Sequence, residues 1–415
     1  MLAILGGEKV RTAPWPTWPE RGEPEERAVL EVLRRGQWGG YPAPGVAAQK
    51  FGAAFAEYIG AMHTVLAANG TVTLKIALRA LGVGAGDEVI VPALTWVATA
   101  GAAAYVNAVP VFVDVDEASL CIDPAAIEAA ITDKTRAIIP VHLGSAMADM
   151  DAIMDIAKRH ELAVIEDCAH AHGAKWNGRG AGSIGDVGSF SFQSSKLLTA
   201  GEGGAITTSN DELAQRCQAL VNCGRKEPGY DGFEGAVFGW NDRITELQAS
   251  LLFAQLTRLD GQHERREKNV ARLVAALESR PELGLTVQRR DERITRKTTY
   301  ELVLLYDGEA YGGVSRDKFV EALAAEGVPA DGDFYVPIQD RIEEIFPLRA
   351  SEYPTIAPRY GAELRPEHAP CPVATRAAYE RTVWLHHSLF LGDPSDVDDI
   401  IEAIAKIHGA ADALR

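Results

Sequence analysis

Apolar residues recur in three different patterns along the chain. Residues 1–45 show no sustained period and are crowded with Pro, Gly and Trp, as in Pro14-Trp15-Pro16-Thr17-Trp18-Pro19. They predict an ordered arm with one short helix over 25–35. Pro24 suits the first turn of that helix, where a missing N–H leaves no bond unmade. From residue 46 short, β-rich apolar runs take over, at 64–68, 88–92, 109–115, 136–141, 162–166, 187–192 and 204–208. Helical segments such as 73–81 and 150–160 separate most of the early runs. Strands that alternate with helices predict βαβ crossovers and a mostly parallel, buried sheet. The last two runs have no helix between them, so the strand order is mixed there. After residue 243, Leu247, Leu251, Leu252, Leu256 and Leu259 mark one long helix or two, reaching to about 276. A smaller α+β unit follows, with a strand over 300–306 and helices over 315–326 and 395–408. Long ordered loops are expected across the Pro- and Gly-rich 328–375. The expected organisation is an arm (1–45), a large domain (46–255) and a smaller C-terminal domain (256–415).

Size and composition fit this picture. The chain has 415 residues, and a single core rarely grows past about 250–300. With 47% apolar and 24% charged residues it has the make-up of a soluble globular protein. The net charge of −17 repels polyanions, which argues against nucleic acid or an anionic membrane as partner. A local phosphate site survives this argument, because backbone amides at a helix N-terminus can hold an anion inside an acidic protein. Cys121, Cys168, Cys217, Cys223 and Cys371 are odd in number, scattered, and form no CxxC pair. They predict neither a disulfide framework nor a thiolate zinc site. The apolar start Met1–Leu5 is too short for a signal peptide, and the stretch 96–113 is broken by Gly101, Asn107 and Pro110. A cytoplasmic protein is expected.

The candidate chemistry lies at two strand ends. The run Leu162-Ala163-Val164-Ile165 leads into Glu166-Asp167-Cys168-Ala169-His170, which puts Asp167 at the C-terminal edge of the sheet, where open α/β folds bind ligands. A second run, Ser189-Phe190-Ser191-Phe192, delivers Lys196 just past its end, ahead of Gly201-Glu202-Gly203-Gly204. A lysine and a carboxylate so placed suit pyridoxal phosphate. The lysine condenses with the cofactor aldehyde, and the carboxylate keeps the pyridine nitrogen protonated so that the ring can accept electrons. Burial would bring the amine of Lys196 into a useful range, and once released it can shuttle a proton. Asn69-Gly70-Thr71 sits between a strand and a helix, an anion site by geometry. Ser191 could add a hydroxyl to it, and Trp96 is placed to stack on the ring.

Over nearly its whole length the chain resembles the DegT/StrS-type sugar aminotransferases, a family of fold-type-I pyridoxal-phosphate enzymes. The resemblance is carried by Gly70-Thr71, the run at 87–92, Glu166-Asp167-Cys168-Ala169, Ser189 to Lys196, Gly201-Glu202-Gly203-Gly204 and Asn241-Asp242-Arg243. It implies an α/β fold with a large seven-stranded, mostly parallel sheet domain and a smaller C-terminal α+β domain. It further implies Lys196 and Asp167 as catalytic, with Gly70, Thr71 and Ser191 on the cofactor phosphate and Trp96 on the ring face. Asn241 would reach the cofactor of a partner subunit, so a homodimer with shared sites is implied. The amino donor would be glutamate or glutamine. The acceptor would be a nucleotide-linked keto-deoxysugar or a keto-cyclitol, in antibiotic or cell-surface sugar biosynthesis. The 328–375 loops and Trp384-Leu385-His386-His387-Ser388 are similar to the carbocycle-using branches. For a nucleotide sugar, Arg225 and Arg243 are the local basic residues. Two positions depart from the family pattern: His170 stands where many members carry Gln beside the cofactor hydroxyl, and Gly144-Ser145-Ala146 replaces an aromatic.

Competing readings are weaker. His170-Ala171-His172 and His386-His387 lack the converging acids of a metal site, so no metal is expected. The second pair could instead border the substrate pocket. Gly180–Gly185 fits GxGxxG but follows an Asn177-Gly178 turn and leads into a strand, the wrong context for a dinucleotide. A sugar dehydratase on this fold would replace the lysine with histidine, and a non-catalytic regulator would turn over no amino donor.

Overall fold

In the computed structural model, which describes residues 1–227, 232–233, 235–341 and 370–415, the seven runs form one sheet. Its strands begin with β1 (His63–Ala67), β2 (Glu88–Pro92), β3 (Val109–Val113), β4 (Thr135–Ile138) and β5 (Ala163–Asp167). A small hairpin, β6 (Lys175–Trp176) and β7 (Arg179–Gly180), precedes the last two, β8 (Val187–Ser191) and β9 (Gly204–Thr208). The order across the sheet is β1-β9-β8-β5-β4-β2-β3. Strands β3, β2, β4, β5 and β8 run parallel. β9 returns directly from β8 without a helix, so it can only pair antiparallel, and it does so with both β8 and β1.

Helices α1 (Glu23–Arg35), α2 (Val46–Ile59), α3 (Gly70–Ala80), α4 (Ala98–Tyr105), α5 (Pro124–Ala130) and α6 (Met150–His160) precede or connect these strands, and α7 (Asp211–Val221) follows the last of them. Covering both faces makes the strands apolar throughout, and the side chains of β2 alternate between two cores. Ile90 enters one with Phe51 and Phe190, while Val89 and Val91 enter the other with Leu74 and Val109. Helix α3 begins three residues before the 73–81 stretch read from the sequence. Asn69 is its N-cap, accepting the amide of Val72 at 3.0 Å, so Gly70 and Thr71 form the first turn of the helix.

Helix α8 is a single helix, Glu246–Glu278, started by a Thr245/Gln248 capping box. Its early residues Leu252 and Leu259 pack into the core of the large sheet. Val270, Leu273 and Leu277 pack into a separate core with β10 (Leu285–Val287), β12 (Glu301–Tyr306) and β13 (Thr382–His386). Those strands form a sheet in the order β10-β12-β13, while β11 (Ile294–Arg296) joins the hairpin in the order β11-β6-β7. The division expected between 255 and 256 therefore falls inside one continuous helix. Asn177 and Gly178, with φ of 47° and 81°, make the tight turn of that hairpin, and Gly180–Gly185 passes through turns into β8 and opens no helix. Helices Arg316–Ala325 and Pro394–His408 complete the second unit. Within the expected 328–375 loops, residues 342–369 lie outside the described residues. Among the described residues no helix is long and apolar enough to cross a membrane.

Candidate active site

Consecutive side chains on a strand leave opposite faces, and at the end of β5 this separates two carboxylates. Glu166 is fully buried. It accepts the amides of Gly182, Ile184 and Gly185 at 3.0, 2.7 and 2.8 Å, and a ring N–H of His142 at 3.1 Å. The Nδ1 of His142 accepts the amide of Ala148 at 3.2 Å, which places the ring proton on Nε2, toward the glutamate. Cys168 lies close enough to make these three a possible metal set, but the glutamate is already saturated by backbone donors and acts as a clasp on the Gly182–Gly185 turn.

Asp167 faces the other way, into a cavity of about 760 Å³. It is 7% exposed and accepts the Thr99 hydroxyl at 3.0 Å and the Ala169 amide at 3.2 Å. Thr99 in turn receives the hydroxyl of Thr95 at 3.0 Å. Burial raises the carboxyl above its ordinary value, while the Ala169 amide, Thr99, Lys196 and His142 pull it back toward the charged form. An aspartate with that balance is held ready for a cationic partner.

Lys196 comes from the turn after β8, the strand that pairs with β5 at Asp167↔Ser189. The backbone bond from Lys196 N to Gln193 O at 2.9 Å closes the turn. Lys196 as a whole is half-buried, and its ammonium sits 4.2 Å from the Tyr300 ring centroid. Burial brings its pKa down to about 8, against the opposing pull of Asp167 and Glu301. The Tyr300 hydroxyl donates to Ser195 Oγ at 2.7 Å, and Ser195 donates to Gln193 Oε1 at 2.8 Å, so the loop carrying the lysine is tied to the second unit.

Gly70 closes the far end. A Cβ there would stand 2.6 Å from Ser191 Cβ, so only glycine lets the N-terminus of α3 approach the end of β8. Thr73 fastens the junction, donating to Gly70 O at 2.6 Å and receiving the Ser189 hydroxyl at 2.7 Å. The first amides of α3 are free of intrahelical bonds and open on the same cavity as Ser191.

Of the residues singled out in the sequence, the fold brings Gly70, Thr71, Trp96, Asp167, His170, Ser191 and Lys196 to one cavity. Trp96 is 60% exposed at its mouth. His170 is buried, with Nδ1 accepting the Gly144 amide at 3.2 Å, so its proton lies on Nε2 and points to the Tyr335 hydroxyl at 3.0 Å. Burial drives its pKa well down and keeps the ring neutral. Gly144, one of the positions departing from the family pattern, thus orients the other. Asn241 is exposed and lies outside the cavity wall, as do Arg225 and Arg243. His386 and His387 are not part of the wall either. His387 is fully buried and donates from Nε2 to the Ser195 carbonyl at 2.9 Å. The sequence reading missed Thr99, Tyr300, Phe334 and Tyr335. For Thr99 the available signal was its place in the first turn of an otherwise Ala-rich helix just past the end of β2.

The doubly covered parallel sheet, with a depressed lysine and a buried aspartate converging at its C-terminal edge, defines an aminotransferase of the fold-type-I α/β class. The chain belongs to the DegT/DnrJ/EryC1/StrS aminotransferase family, whose model matches residues 19–405. It is similar to a Streptoalloteichus tenebrarius protein named "Putative L-glutamine:3-amino-2,3-dideoxy-scyllo-inosose aminotransferase", 49% identical over 100% of this chain and 99% of that one. It is also similar to the L-glutamine:2-deoxy-scyllo-inosose aminotransferase of Streptomyces fradiae, 43% identical over 99% and 98%. Among solved structures, 3-amino-5-hydroxybenzoic acid synthase is 34% identical with a TM-score of 0.82, covering 96% of this chain and 100% of that one. DesI, determined in the presence of its TDP-sugar product, is 28% identical with a TM-score of 0.80 over 99% and 96%.

Proposed function

We propose that this aminotransferase uses pyridoxal phosphate to move the amino group of L-glutamine onto the ketone of a carbocyclic polyol. The observation that carries the reading is the convergence of Lys196, Asp167 and the Gly70–Ser191 cradle on one cavity. The residues fit the cofactor. A Cβ at Gly70 would fill the space at the helix N-terminus that a phosphate needs, and the buried carboxylate of Asp167 matches a ring N–H⁺. Gly70, Thr71 and Ser191 would hold the phosphate, Trp96 and His170 would flank the ring, and Lys196 would supply the amine that binds the aldehyde. When bound, the cofactor supplies an electron sink and carries the amino group between donor and acceptor.

The chain's own residues do the rest. Asp167, fixed by Thr99 and Ala169, keeps a proton on the ring nitrogen. Lys196 Nζ, with its pKa near 8, can take a proton from the substrate carbon and return it close to neutral pH. Tyr300 holds that loop in register through Ser195. Tyr335 and Phe334 cover the cavity from the second unit and keep water from the reacting carbon.

The acceptor reading rests on two supports. The more similar relatives are named for scyllo-inosose derivatives, whereas the TDP-sugar neighbour is more distant. The cationic side chains on the cavity wall among the described residues are Lys196 and Lys75, and Lys75 is paired with Asp242 at 2.8 Å, a poor match to a nucleotide diphosphate. The exposed Asn241 belongs to the same proposal: in a homodimer it would reach the partner's cofactor phosphate. The same reading keeps a large domain to about 255 and a smaller one from 256, with α8 running through both, and a cytoplasmic location. Incubation with L-glutamine and either 2-deoxy-scyllo-inosose or a TDP-linked keto-deoxysugar tests it. Amination of the cyclitol supports the reading, and amination of the nucleotide sugar alone overturns it.

A further inference from the structure

Outside the cavity wall, four buried basic side chains gather against the segment that carries Lys196. Arg266, His172 and His387 are fully buried and His263 is 3% exposed. His263 and Arg266 are three apart on α8 and share its inner face. The Arg266 guanidinium lies 5.1 Å from the Trp18 ring centroid, and that ring meets His387 edge-on at 4.5 Å. His172 donates from Nε2 to the Ser191 carbonyl and His387 from Nε2 to the Ser195 carbonyl, each at 2.9 Å. The cluster therefore grips the lysine loop at both ends.

Most of the cluster's remaining polar atoms have no partner among the described residues. Among the described residues, Nε, Nη1 and Nη2 of Arg266 and Nδ1 of His172 and of His387 have no hydrogen-bond partner, and the His263 ring faces the backbone of His172. The neighbouring carboxylates are committed elsewhere. Glu20 accepts Gln262 at 2.6 Å and Arg265 at 3.2 Å, and Glu267 accepts Thr299 at 2.7 Å and Arg290. Burial holds His172 neutral, down to about 3, and drives His263 and His387 well below their ordinary value. A guanidinium stays charged in a protein, and a buried charge left without a counter-ion is strongly unfavourable. The group in need of a partner is thus one fixed cation with its whole fork of donors unspent.

We propose that Arg266, beside His263, binds a small inorganic anion of the chloride class, accompanied by ordered water that donates to Nδ1 of His172 and of His387. The anion accepts the guanidinium N–H groups and offsets the charge, and the water supplies the protons that the two imidazole lone pairs lack. Filling the site locks His172 and His387, and through the Ser191 and Ser195 carbonyls it steadies the turn that presents Lys196. The proposal is independent of the acceptor and rests on the cluster alone.

Crystals of the holoenzyme soaked in bromide test it directly, because bromide scatters anomalously and water does not. The expected result is an anomalous peak within hydrogen-bond distance of Arg266. In solution, Tm of the holoenzyme should rise by roughly 2–4 °C when gluconate is exchanged for chloride at constant ionic strength. Arg266→Met, which removes the charge while keeping the volume, should abolish that difference. If the variant does not fold, the wild-type soak and melting series decide the matter by themselves. Ordered water at Arg266 with no anomalous signal, or a Tm indifferent to the anion, overturns the proposal.

Discussion

Glu166 and Asp167 leave β5 on opposite sides of the large sheet, into opposite kinds of surroundings. The glutamate is enclosed by three backbone amides and a histidine, all of which point at it and leave it nothing further to bind. The aspartate receives one hydroxyl and one amide and looks into a cavity that also holds Lys196. Two acids side by side in sequence thus differ in how much of their bonding capacity the fold has used. Saturation makes a carboxylate structural, and a deliberate shortfall of partners leaves it free for chemistry.

Substitutions at the cavity and behind it should separate these roles. Lys196→Ala should abolish transamination, lowering kcat by roughly 10⁴-fold with the fold retained, as followed by amino transfer and circular dichroism. Asp167→Asn keeps the shape but removes the negative charge, and its kcat should fall by roughly 10²–10³-fold while Tm changes little. Glu166→Gln should do the reverse. Its amide nitrogen would confront a backbone donor, so stability in urea should drop by about 1–3 kcal/mol while turnover per folded molecule is retained. Equal kinetic damage from both acid variants would erase the distinction. Thr99→Val leaves Asp167 with one protein donor, and a roughly tenfold loss in kcat is expected, about 1.4 kcal/mol in the barrier.

A separate effect, on stability and not on turnover, is one of pH. Burial lowers Lys196 from 10.5 to about 8. Between those values the unfolded chain holds a proton that the folded chain has released, so stability of the cofactor-free protein should rise with pH from about 8 to 10.5. Below about 8 both states carry the charge, and the penalty for burying it is felt in full. Lys196→Met should therefore melt higher than wild type at pH 7 and lack the alkaline increment, as thermal melts across that range would show.

Much of this was legible in the sequence because it depends on local pattern. The seven sheet strands, the placement of Asp167 and Lys196 at neighbouring strand ends, and the glycine turn at 70 follow from apolar runs and their punctuation. What the chain hid was long-range. Thr99 bonds to a residue 68 positions away, and Tyr300 and Tyr335 reach the cavity from the second unit across 105 and 165 positions. The short strands β6, β7 and β11 carry too few residues for a period to register. Helix α3 begins at Gly70 because Asn69 caps it, a bond that moves a turn into a helix without altering the apolar pattern. Asn241, singled out by resemblance, is exposed and stands outside the cavity wall of its own chain.

The most direct test of the central claim is to reduce the holoenzyme with borohydride and map the modified peptide by mass spectrometry. A pyridoxyl adduct on Lys196, absent from Lys196→Ala, is the expected result. An adduct on another lysine, or a protein that takes up no cofactor, would contradict the account.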